Sequence, residues 1–123
     1  MIKQLLVIGL GGALGSILRY LAQMLTNHFL TLVFPLGTFL VNISGCFLIG
    51  VFYGIFEKYA ALNHDWRLFL ITGLCGGYTT FSSFSYESIT LLRQGDYVYF
   101  SLYVGLSVLI GLVAVVSGMA VVK

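Results

Sequence analysis

The sequence predicts an all-α integral membrane protein of four transmembrane helices, the third of them broken near Gly76–Thr80. Three observations carry that reading. Of the 123 residues, 59% are hydrophobic and only 8% are charged, whereas a soluble domain is roughly a quarter charged. Mean hydropathy is +1.03. The few charged side chains fall mostly between long apolar runs, each close to the ~20 residues that cross a bilayer as helix. Finally, the stretch from Gly73 to Ser85 places three glycines and five serine or threonine hydroxyls inside one such run.

The first span is predicted over Ile2 to Met24. Its start, Met-Ile-Lys-Gln followed by apolar residues, has the charge-then-apolar order of a secretory leader. No small-residue cleavage site follows and Arg19 interrupts the run, so a retained helix is expected. The second span is predicted over Leu36 to Phe56, the third over Leu68 to Leu92 and the fourth over Tyr97 to Val122. Connections are expected over Thr26 to Phe34, over Glu57 to Arg67 and at the Arg93-Gln94-Gly95-Asp96 turn. This division makes residues 1–123 a single four-helix transmembrane domain. Lys3, Lys58, Arg67 and Lys123 then share one side, while Arg93 lies opposite with Arg19 embedded towards it. Because cytoplasmic loops carry the excess of Lys and Arg, both termini are expected in the cytoplasm.

Close helix packing is provided for. Gly11 with Gly15, Gly50 with Gly54 and Gly73 with Gly77 form Gly-x-x-x-Gly pairs, and Ser107 with Gly111 and Ala114 with Gly118 are small-residue equivalents. Such pairs let backbones approach closely in lipid, so packing is their first reading. A bundle of four helices has a side-chain-filled centre. If the chain conducts anything, more than one copy is therefore expected to be needed. Cys46 and Cys75 both fall inside spans, which argues against a disulfide framework.

Three polar features inside the spans carry the functional reading. Arg19 follows the glycine run at helical spacing from Gly12 and Gly15, consistent with a structural anchor against another helix or an electrostatic attractor for an anion. Thr38, Asn42 and Cys46 form a stripe spaced by four; Asn42 has partners either in interhelical hydrogen bonding or in a passing anion that its amide N–H groups ligate. The broken third span exposes carbonyls near Gly76 and Thr79 suited to a hard monovalent cation. Beyond it, Phe81 and Phe84 share a face among Ser82, Ser83 and Ser85, their positive ring edges able to line a path for an anion.

Three motifs stand out together: Gly11-Gly12-x-x-Gly15-x-x-x-Arg19-Tyr20, Pro35-x-Gly37-Thr38-x-x-x-Asn42, and Thr72-Gly73-x-Cys75-Gly76-Gly77-x-Thr79-Thr80-Phe81-Ser82-x-Phe84-Ser85-x-Glu87. On these the sequence resembles the small bacterial fluoride channels of the Fluc or CrcB family. The resemblance extends over the whole chain, more loosely in the fourth span. It implies an antiparallel, dual-topology homodimer in the inner membrane of a bacterial cell, exporting fluoride passively through two narrow paths. A structural sodium ion at the dimer centre would be held by the backbone carbonyls of Gly76 and Thr79. Asn42, Thr80, Ser82, Tyr103 and Ser107 would line the path with Phe81 and Phe84, and Arg19 and Glu87 would sit near the vestibules. Two departures from the family pattern stand out: Tyr78 replaces an aliphatic residue and Ser83 a threonine.

Two other functions are weighed against this one. Small four-span dimers also include proton-coupled multidrug exporters, which carry an acidic residue in mid-membrane of the first span; here that span has Arg19 and no Asp or Glu. A non-conducting scaffold would account for the glycines but not for Asn42 or the hydroxyl row. Enzymatic chemistry is not expected, because His28 and His64 fall in predicted connections and no Ser-His-Asp or metal-spaced Cys/His set can be placed. Nothing in the composition points to nucleic acid.

Overall fold

A computed structural model of the chain describes residues 1–30 and 33–123, and among these every regular element is helical. Helix α1 is Ile2–Phe29 and α2 is Leu36–Lys58. Helix α3 covers residues 64–78, followed by α4 (Phe81–Arg93) and α5 (Tyr97–Val122). Three of these, α1, α2 and α5, are long and apolar enough to cross a membrane. Each of the two segments of the interrupted third span is shorter.

Several boundaries differ from expectation. Helix α1 continues to Phe29, which puts His28 in its last turn and not in a connection. The connection expected over Thr26 to Phe34 includes Thr31 and Leu32, which lie outside the described residues. Helix α3 starts at His64, ahead of the expected Leu68, because the Asn63 side chain caps it by accepting from the Asp65 N–H at 2.8 Å. The α4–α5 turn is as expected. Gly95 adopts φ 80°, and the Gly95 and Asp96 N–H groups return to the Leu92 and Leu91 carbonyls, the pairing that closes a helix on a left-handed glycine.

The third span is broken within the expected Gly76–Thr80, at the C-terminal end of that stretch. The backbone is right-handed helical through Gly76, Gly77 and Tyr78, and only Thr79 (ψ 156°) and Thr80 (φ −147°, ψ 117°) are extended. Within α3, Leu68–Cys75 is wound as a π-helix, a form concentrated at functional sites. Glycines 73 and 77 have a packing role. A Cβ on Gly77 would press on the Gly12 carbonyl, and one on Gly73 on the backbone of Gly11 and Ile8. On the other side of the seam, a Cβ on Gly15 would collide with the Leu74 carbonyl oxygen. Helices α1 and α3 thus meet backbone to backbone.

A second seam joins α2 to α5. Gly50 lies against the Val115 carbonyl and Gly118 against the backbone of Phe47 and Val51. The interior is small, with Val41, Cys75 and Tyr103 the largest side chains fully enclosed, while Leu10, Leu109 and Val116 point outward. Apolar side chains lose nothing by facing lipid, so close backbone contact and not apolar burial organises the bundle. At one end Lys3 pairs with Asp65 at 3.0 Å, Lys58 donates to the Val122 carbonyl at 3.0 Å, and Arg67 lies over the Tyr53 ring. That end gathers Lys3, Lys58, Arg67 and Lys123, the set predicted to share a side.

The seams make an opposite-sign prediction. Gly15→Ala should destabilise the protein by about 2 kcal/mol, since backbone must move to admit the methyl, whereas Gly9, with nothing within 4 Å, should tolerate alanine with a gain of up to ~1 kcal/mol from helix propensity. Thermal unfolding in detergent micelles distinguishes the two.

Candidate functional site

An interrupted helix leaves backbone donors and acceptors unpaired on both sides of the break, and in hydrocarbon each costs several kcal/mol. Here side chains from two other helices satisfy three of them, the Gly77 carbonyl and the Thr80 N–H and carbonyl. The Asn42 amide on α2 accepts from the Thr80 N–H at 2.9 Å and donates through Nδ2 to the Thr80 carbonyl at 3.0 Å. Arg19 on α1 donates through Nε to the Gly77 carbonyl at 3.1 Å, replacing the donor that a continuous helix would supply at Phe81. The Thr80 hydroxyl caps α4 by accepting from the Ser83 N–H at 3.2 Å. Thr79 returns its own hydroxyl to the Cys75 carbonyl at 2.9 Å. Since the Thr80 N–H is directed to Asn42, the Gly76 carbonyl is left without its regular i+4 donor.

Next to the break is an open crevice of about 310 Å³ lined by Asn42, Thr79, Thr80, Phe81, Phe84 and Ser107. The Phe81 and Phe84 rings stand 5.8 Å apart, tilted by 42°, and Phe84 continues to Tyr103 at 5.1 Å. Phe81 is 78% exposed in the single chain. Tyr103, one turn before Ser107 on α5, is fully enclosed, and both hydroxyls are buried with no hydrogen-bond partner. Unpaired buried hydroxyls are costly, so their persistence marks a place where something polar is met.

On the far side of α4 is a larger, more polar pocket of about 470 Å³, lined by Gln23, Asn27, Thr38, Ser82, Ser83 and Glu87 among others. Gln23 donates to the Thr38 hydroxyl at 3.0 Å, and Ser82 lies 3.2 Å from the Thr80 hydroxyl. Thr38 and Glu87 both line it, with Glu87 Oε1 buried and unpaired. Helix α4 contributes Ser82, Ser83 and Glu87 to the hydroxyl-and-carboxyl pocket and Phe81 and Phe84 to the aromatic crevice, and the Tyr103 ring packs on Phe34 of the pocket at 5.3 Å and on Phe84 of the crevice at 5.1 Å.

The structure brings most of the expected residues together. Asn42, Thr80, Phe81, Phe84 and Ser107 share the crevice, and Ser82 and Glu87 share the pocket. Thr79 is in the break, while Gly76 belongs to the helical turn before it. Arg19 stands apart from both cavities, against Gly77. Of its two sequence readings, the anchor is the contact observed. Asn42 likewise makes the interhelical bonds, and two bonds to one residue still leave it a second Nδ2 hydrogen.

Sequence reasoning missed Gln23 and Asn27, although Gly15, Arg19, Gln23 and Asn27 recur every four residues along one face of α1. It also missed that the Tyr78 hydroxyl and Ser44 Oγ lie 2.9 Å apart. Cys46 and Cys75 are free thiols.

The geometry predicts a contrast between two substitutions. Asn42→Ala strands both polar groups of Thr80 and should lower stability by about 2 kcal/mol, whereas Tyr103→Phe removes only an unpaired hydroxyl and should leave stability unchanged or raise it. Melting temperatures of the two variants in the same detergent decide this.

The chain can be set beside known proteins. The family model described as CrcB-like protein, Camphor Resistance (CrcB), matches residues 6–119. A protein of Flavobacterium psychrophilum is 49% identical over 121 residues, covering 98% of both chains. One of Phocaeicola vulgatus is 51% identical over 116 residues, covering 94% of this chain and 95% of the relative. A third, of Bacteroides fragilis, is 46% identical over 119 residues, covering 94% of this chain and 93% of its own. All three carry the name fluoride-specific ion channel FluC. The multi-pass membrane chain described above therefore belongs to the CrcB family.

Proposed function

We propose that the protein is a fluoride-selective channel that lets fluoride leave the cytoplasm passively. One observation carries the reading: a row of neutral donors and aromatic edges flanks a helix break, with two buried hydroxyls unpaired and no fixed cation in either cavity among the described residues. The relatives' shared name supports it.

Fluoride holds its hydration water tightly, so a selective path must replace that water with compact donors in a narrow space. Hydroxyls and amide N–H groups do this, while a wide basic pore favours larger anions that dehydrate easily. In this reading an ion passes from the pocket at Ser82 and Glu87, past the Tyr103 hydroxyl, to the crevice where Ser107 and the second Nδ2 hydrogen of Asn42 meet it. The rims of Phe81 and Phe84 present the positive edge of their quadrupole. Neutral dipoles attract the anion without binding it so tightly that it cannot leave. The activity is transport, not catalysis.

A structural sodium ion fits the donor set. Backbone carbonyls suit hard cations, and the Gly76 carbonyl lacks its regular i+4 donor because Asn42 takes the Thr80 N–H. Gly76 and Thr79 would hold the ion, and a second copy would supply the remaining ligands. Such an ion would supply a fixed positive charge, which would lower the cost of an anion in low dielectric.

An antiparallel homodimer is part of the proposal. Phe81 is 78% exposed and its crevice is open along one side, so in one copy the path has no complete wall. The two segments α3 and α4 together make the fourth crossing. The cationic end at Lys3, Lys58, Arg67 and Lys123 favours the cytoplasm, although dual insertion requires that both orientations occur.

In vesicles loaded with potassium fluoride, valinomycin should trigger rapid fluoride release, with chloride released far more slowly; equal rates would reject selectivity. Phe81→Ile and Phe84→Ile should each slow release by at least about tenfold, matching the ~1.4 kcal/mol that an edge contact contributes, with the dimer intact by size exclusion. Cysteine labelling of a terminal tag from either face of the membrane should find it on both sides in comparable amounts. Labelling from one face alone would reject dual insertion.

A further inference from the structure

Tyr78 is the last residue of α3, and its hydroxyl lies 2.9 Å from the Ser44 Oγ. Ser44 donates its own proton to the Val41 carbonyl at 3.1 Å, so the phenol is the donor and Ser44 the acceptor. The result is a short chain, Tyr78 to Ser44 to Val41, in which each bond polarises the next. Helix α2 thereby holds both sides of the break, Asn42 at the Thr80 backbone and Ser44 at the Tyr78 ring. Gly45 makes the approach possible: a Cβ there would collide with the Thr79 methyl and come 3.2 Å from the Tyr78 ring.

We infer that Tyr78 is a positioning residue of the pathway, whose hydrogen bond to Ser44 fixes the final turn of α3 and so the direction of the Gly76 and Thr79 carbonyls. An aliphatic side chain at this position could fill the space but could not be held to α2. Of the two threonines of the break, Thr79 keeps an i−4 bond from its N–H to the Cys75 carbonyl at 3.0 Å, and Thr80 is pinned by Asn42. Among the described residues, the other side-chain hydrogen bond that a neighbouring helix makes to residues 76–79 is that of Arg19 at Gly77. The pair is exposed in the single chain, and a phenol and a serine at membrane depth are tolerated there because each satisfies the other.

The functional consequence rests on the channel reading above, and the test separates the two. Tyr78→Phe keeps the ring and loses the donor, Ser44→Ala removes the acceptor, and Ser44→Thr restores it. In potassium fluoride vesicles with valinomycin, Tyr78→Phe and Ser44→Ala should each slow fluoride release about fivefold, the scale of one hydrogen bond. The double variant should be no slower than either single one, Ser44→Thr should run at the wild-type rate, and fluoride-over-chloride preference should be unchanged in all four. Amide deuterium exchange over residues 78–80, read by mass spectrometry in detergent, should rise by a similar factor in Tyr78→Phe. Wild-type exchange in Tyr78→Phe, or additive losses in the double variant, would overturn the assignment. If wild-type vesicles release no fluoride, the channel reading fails and the exchange measurement still decides the role of Tyr78.

Discussion

The bidentate bond between the Asn42 amide and the Thr80 backbone is the interaction on which the rest of this structure depends. Two extended residues in the middle of a membrane span expose peptide groups that lipid cannot satisfy. A continuous helix would satisfy them at no cost to its neighbours, so a break persists only where other helices supply donors and acceptors in matching positions. Asn42 supplies one of each, and Arg19 supplies a donor to the Gly77 carbonyl. The interruption is thus a tertiary feature maintained by α1 and α2, and its local sequence merely permits it.

That requirement explains the glycines. For Arg19 to reach the Gly77 carbonyl, α1 and α3 must lie closer than side chains allow, and Gly11, Gly15, Gly73 and Gly77 remove the obstruction. For Asn42 to reach Thr80, α2 must come equally close, and Gly45 has a matching role against Thr79. Seams usually read as generic packing are here a precondition of the site.

The same economy of charge runs through the cavities. Arg19, the one cation well inside a span, is directed to backbone, and Glu87 is directed into the pocket. The aromatic crevice is left with hydroxyl, amide and ring-edge dipoles. Such a surface can replace the water of a small, strongly hydrated anion while offering no deep electrostatic trap. Most large apolar side chains outside this region face outward, where lipid is as favourable a neighbour as protein.

The membrane class, the number of apolar runs and the polar interruption were legible in the sequence, because hydropathy and charge placement are local properties and a bilayer imposes one length on every span. Phe81 and Phe84 on a common face, and the set of cations at one end, followed from helical periodicity alone. The break expected near Gly76–Thr80 was legible too, but not which of those residues leave the helix: Gly76, Gly77 and Tyr78 stay helical, and Thr79 and Thr80 are extended because Asn42, 38 residues earlier, offers the backbone an alternative to its helical bonds. Whether Arg19 was an anchor or a lure for anions was equally undecidable from its neighbours, since its partner is a carbonyl 58 residues away. Hydropathy is summed along the chain, whereas a hydrogen bond between helices exists only once their backbones have met, and that meeting is decided by the whole bundle.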